Sequence, residues 1–180
     1  MMRRLRWAAL CAVMLAAPLL AGDWRAALPS AQQQGSGDFT WWGFRLYTAR
    51  LWTDGHRQDW ARPFALELLY HRALTRDSLV QASLQEMRRL GDGGVTPEQL
   101  ASWAQIMQTA FTDVRPGMRI TGLYLPGAGC RFYVDGTLSA EVRDAAFAEA
   151  FFAIWLDPRA RDPQLRLHLL GQAGDGGPRP

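Results

Sequence analysis

The chain contains no lysine: all 20 of its basic residues are arginine, set against 17 acidic residues in 180. Arg3, Arg4 and Arg6 sit together at the start, and without them the arginines number 17, equal to the acids. No basic cluster remains in the body, which excludes nucleic acid as an expected partner because phosphate binding needs concentrated positive charge. Cysteine is scarce too, with only Cys11 and Cys130. Charged residues are only 21% against 48% hydrophobic ones, a balance that excludes an intrinsically disordered chain. The one long apolar run, Trp7–Ala21, has 15 residues and contains Pro18. A membrane-spanning helix needs roughly 20 apolar residues, so this run is too short for a stable span. Glycine-rich nucleotide loops, HExxH, GxSxG, CxxC and EF-hand spacings are all missing.

The opening residues fit a different role. A basic stub, a short apolar stretch and small residues at Ala21 and Gly22 describe a secretory signal peptide, expected over residues 1–21. Export to the periplasm follows as the expected location. Removal of Cys11 with the leader leaves Cys130 without an internal disulfide partner. Its alternation with Phe132 and Val134 predicts a buried thiol acting as a small hydrophobe. His56, His71 and His168 are scattered along the chain. They share no helical ligand spacing, so neither a metal nor a cofactor is expected.

Residues 22–34 read as a linker and 172–180 as a disordered Gly/Pro tail, leaving one domain over residues 35–171. Within it, Thr40–Trp42, Phe44–Thr53 and Phe64–Arg72 have strand composition. Alternation puts Phe64, Leu66, Leu68, Tyr70 and Arg72 on one face, with Glu67 and His71 on an opposite, partly wet face. Helical spacing predicts Asp77–Leu90, and Thr96-Pro97-Glu98-Gln99 is a capping box opening a second helix. Met118–Leu125, Gly129–Val134 and Thr137–Val142 form a meander whose second turn is Asp135-Gly136. Helices over Asp144–Leu156 and Pro163–Leu170 complete an α+β domain, an antiparallel sheet covered by helices on one face.

The segments Gly43–Trp52 and Leu68–Leu74 resemble the chalcone isomerase-like family. The likeness extends through Leu125–Gly129, Val134–Gly136, Ala153–Leu156 and Leu169–Gly171, in order, and is nearest to an exported bacterial branch. It implies the chalcone isomerase-like fold, with a ligand cleft between sheet and helices. Its members include isomerases that close a chalcone to a flavanone, fatty-acid binders and relatives without catalysis. The isomerase chemistry implies a strand-borne arginine, a threonine and a tyrosine. Gln32–Thr40 holds no arginine, Tyr47 stands at the threonine position, and Asp77–Leu90 has no tyrosine.

The expected function is therefore non-catalytic binding of a fatty acid or other amphipathic carboxylate, with Tyr47, Tyr70 and Arg72 at the polar end of the cleft. An isomerase or lyase with a rearranged site, or a structural protein with a filled cleft, are the alternatives. A cleft of about 300 Å³ or more separates binding from filling.

Overall fold

The computed structural model describes residues 23–173. The expected signal peptide and all but the first two residues of the expected tail lie outside that range. Six strands follow one another in space as in sequence, each antiparallel to the next: β1 (Gln32–Trp41), β2 (Phe44–Thr53), β3 (Phe64–Tyr70), β4 (Arg119–Leu125), β5 (Gly129–Val134) and β6 (Thr137–Val142). Helices α1 (Arg76–Leu90) and α2 (Pro97–Ala110) are inserted between β3 and β4, while α3 (Ala145–Leu156) and α4 (Pro163–Leu169) follow β6. This is the α+β arrangement the element order implies.

Local chemistry sets most of these boundaries. The Thr96 hydroxyl accepts from the Gln99 amide, and the Gln99 side chain accepts from the Thr96 amide, closing the capping box that starts α2. Asp144 and Asp162 cap α3 and α4 by accepting from Phe147 and Leu165 amides, both at 2.9 Å. Asp135 and Gly136 both take positive φ, 47° and 84°, as a two-residue hairpin turn requires.

The main core lies between sheet and helices, with Leu51, Phe64, Met87, Met107, Phe132, Phe147 and Phe152 essentially inaccessible. The other face is polar in part, as expected. Arg50 pairs across the strands with Glu67 at 2.9 Å, and Arg119 lies 3.9 Å from the same carboxylate.

Two expectations are corrected here. Within the expected linker, the described residues 23–34 do not behave as one. Trp24, in a short 3-10 turn, is 1% exposed and packs with Leu28 against Ala65, Leu123 and Tyr133 on the sheet's second face. Its ring lies 5.6 Å from that of Trp52. The first strand also starts at Gln32, eight residues before its aromatic segment. Its leading half is glutamine, glycine and serine, and pairing rather than propensity makes it a strand. The register with β2 runs from Gln32–Thr53 to Trp41–Phe44, with an irregularity at Gln34. Gln34 donates to the Leu170 carbonyl at 3.1 Å and accepts from the Gln58 amide at 2.6 Å. Helix α4 crosses the same segment so closely that a Cβ at Gly35 would collide with the His168 carbonyl.

The second correction concerns Arg72. Strand β3 ends at Tyr70, so alternation does not extend to position 72. The Tyr70 carbonyl accepts from the Gly117 amide, and the His71 amide donates to the Leu46 carbonyl. The chain then bends away. Arg72 is exposed, with its guanidinium carbon 4.9 Å from the centre of the Phe44 ring.

Candidate functional site

A cleft of about 350 Å³ opens between the helix-covered face of the sheet, α1, α3 and the start of α4. Residue size explains why the space is there. The sheet presents Phe39, Tyr47, Leu68 and Tyr70, whereas α1 presents the small Ser78, Ala82 and Ser83 between the longer Leu79, Gln85 and Glu86. Bulk on one wall and small side chains on the other leave a gap that close packing would otherwise remove. The Ser83 hydroxyl is spent on the Leu79 carbonyl at 2.9 Å, so it offers the cleft little polarity.

Tyr47 and Tyr70, both expected in the site, line this cleft with their rings 5.9 Å apart, edge to face. The Tyr47 hydroxyl accepts a hydrogen bond from the Trp155 indole at 3.0 Å and keeps its own proton to donate. Burial pushes the Tyr47 phenol well above its ordinary pKa, and the nearby Asp162 and Glu86 carboxylates raise it further. Burial does the same to Tyr70, with Tyr47 adding to the effect. Both phenols are therefore neutral donors at physiological pH. The third expected residue, Arg72, does not line the cleft.

The cation at the cleft is Arg161, in the connection between α3 and α4. Its Nε donates to Glu86 at 2.7 Å, while Arg89 donates to the other oxygen of Glu86 at 2.9 and 2.7 Å. Burial by itself would raise the Glu86 pKa, but hydrogen bonds from Arg161 and Arg89 outweigh it and hold the carboxyl below its ordinary range. Asp162, next to Arg161 on the cleft wall, adds a second carboxylate, so Arg161 and Arg89 are matched by Glu86 and Asp162 and the corner is polar without a net charge. With the Arg161 guanidinium and the Tyr47 hydroxyl as donors, such a corner suits a hydrogen-bond-accepting headgroup, and the apolar walls of Leu68, Leu79, Phe151 and Ile154 suit a hydrocarbon chain. Sequence reading missed Arg161 because it lies in a loop, where no periodicity assigns a face. The only local signal was its position before the Asp162-Pro163 helix start.

Other reactive groups are committed elsewhere. Cys130 is fully buried, and desolvation, with Asp144 adding to it, pushes its thiol far above the ordinary range. It is core, as its alternation implies. Among the described residues no group of histidine, cysteine and carboxylate side chains could hold a metal ion. A larger depression of about 700 Å³ lies on the sheet's second face, but it is open, and its Arg25, Arg50 and Arg119 are matched by Asp23, Glu67 and Asp135.

Comparison with known proteins agrees with this architecture. A family model described as chalcone isomerase-like matches residues 34–171. An uncharacterised protein of Haemophilus influenzae is 30% identical over 152 residues, spanning 82% of this chain and 72% of that protein. The crystal structure of an Arabidopsis thaliana fatty-acid binding protein superposes with a TM-score of 0.63 at 14% identity, covering 80% of this chain and 88% of the other.

Proposed function

Because the chain belongs to the chalcone isomerase-like family, we propose that its cleft binds a fatty acid or a similar amphipathic carboxylate without chemical turnover. The observation that carries this reading is the pairing of an apolar cleft of about 350 Å³ with two hydrogen-bond donors at one corner, the Arg161 guanidinium and the Tyr47 hydroxyl. The ligand carboxylate sits against Arg161 and accepts from the Tyr47 hydroxyl, while its chain lies on Leu68, Leu79, Phe151 and Ile154. The Arabidopsis neighbour, a fatty-acid binding protein of the same fold, supports the ligand class. A filled core is disfavoured by the cleft volume, which falls within the range of small-molecule sites, roughly 300–1,000 Å³.

The proposal includes export. No described helix is long and apolar enough to cross a membrane, and the basic stub with its short apolar run fits a removable leader. The buried position of Trp24 narrows where cleavage can fall: removal of Trp24 and Leu28 would open the second-face cluster. Native mass spectrometry of protein recovered from the periplasm tests both parts in one spectrum. A polypeptide mass starting near Gly22 or Asp23, carrying an added mass in the fatty-acid range, is the expected result. A full-length mass would refute a removable leader, absence of the protein from the periplasm would refute export, and a protein that stays empty even after incubation with palmitate would refute binding.

A further inference from the structure

We propose that the tip of the β1–β2 hairpin docks on a bilayer interface carrying anionic headgroups and that the cleft takes up its ligand there. The loading half of this inference rests on the fatty-acid reading above; the docking half does not.

Trp41, Trp42 and Phe44 surround this turn and are 48%, 84% and 56% exposed. Folding does not require them there. Trp42 and Gly43 form the turn with φ of 49° and 76°, both in the left-handed region. Asparagine or aspartate usually occupies the first of these positions, because a bulky side chain is strained there. A tryptophan at the apex therefore opposes backbone preference and adds nothing to the core.

Charge selects the partner. Arg72 lies over the Phe44 ring and has no carboxylate partner among the described residues. Arg45, the other nearby cation, is held 3.2 Å from Asp38. Aromatic rings at headgroup depth with an arginine beside them match the interfacial belts of membrane proteins, where guanidinium binds phosphate. A protein partner fits less well, since one convex turn offers less than the roughly 800 Å² per side of a standard protein interface.

The tip is continuous with the cleft. Trp41 lies 6.5 Å from Phe39, Phe39 lies 5.1 Å from Tyr47, and Tyr47 lies 5.9 Å from Tyr70. All four rings line the cleft, so an acyl chain leaving the bilayer at Trp41 meets an unbroken aromatic wall.

Co-sedimentation with vesicles of equal parts phosphatidylcholine and phosphatidylglycerol tests the docking. The full chain also carries Trp7–Ala21, so the comparison is between variants of that one chain. In the double variant Trp42→Ser/Phe44→Ser, partitioning should fall at least about tenfold, given the burial energy of two rings. Arg72→Gln should lower it several-fold on the mixed vesicles and leave it unchanged on phosphatidylcholine alone. A double variant that pellets like the wild type, or a wild type that does not pellet, would overturn docking. Displacement of a fluorescent fatty acid in vesicle-free solution separates the two readings. The double variant should bind as the wild type does, and a wild type without affinity would overturn loading while leaving docking to stand on the pelleting result.

Discussion

Arg161 and Arg72 show how differently two arginines can be employed. Arg161 touches Glu86 and lines the cleft, whereas Arg72 lies outside it on the Phe44 ring. A charge-assisted hydrogen bond contributes about 1.5–3 kcal/mol, so Arg161→Gln should weaken palmitate binding about tenfold to a hundredfold in a titration. Arg72→Gln should leave solution affinity unchanged; an equal loss in both variants would mean that the ligand lies elsewhere. Arg72 was misplaced in the sequence reading because alternation holds only while a strand continues. Nothing local announces that β3 stops at Tyr70, since the backbone bonds that end it come from Leu46 and Gly117, far away in sequence. Tyr47 and Tyr70 lie inside paired strands, where alternation does assign a face. Glu86 gives the pH dependence at this scale. Its folded pKa lies below its ordinary value of 4.5, so its contribution is complete above that value and is lost as pH falls through the folded pKa. Thermal melts of wild type and Glu86→Gln should therefore differ at neutral pH and converge as the pH falls below 4.5.

Among elements, those with their own stop and start chemistry were legible from the sequence. The capping box of α2, the Asp135-Gly136 turn and strands β5 and β6 all lie where composition put them. The first half of β1 was not legible, because Gln32–Gly37 contains no β-branched or aromatic residue. It is extended because β2 pairs with it on one side and α4 presses on its glycines. Gly35→Ala should consequently lower stability by about 1–3 kcal/mol, read from denaturant midpoints, because the new methyl meets the α4 backbone. An unchanged midpoint would mean that α4 can lift without loss. Helix α1 supplies the complementary test, since its small residues make the cleft. Ser83→Leu fills that space and should reduce palmitate affinity at least about tenfold, on the scale of apolar volume displaced, while leaving the melting temperature near that of the wild type. Unaltered affinity would place the ligand away from α1.

At the level of the whole molecule, the strand order β1 to β6 pairs every strand with its neighbour in sequence, apart from the helical insertion between β3 and β4. Short-range pairing of this kind keeps loop-closure costs small and favours fast folding. The exception is the clasp between α4 and β1, where Leu165 covers Gly37 and Gln34 holds the Leu170 carbonyl. A chain emerging from its amino end can zip the sheet strand by strand, yet its first strand must wait for its last helix. The cleft draws on both partners of that clasp, Phe39 from β1 and Leu165 from α4. Until the final helix docks, the aromatic wall is one side of an open trough facing water. The late-closing step in folding is thus also the step that completes the cleft wall, and a ligand of the proposed kind would be enclosed only once it has occurred.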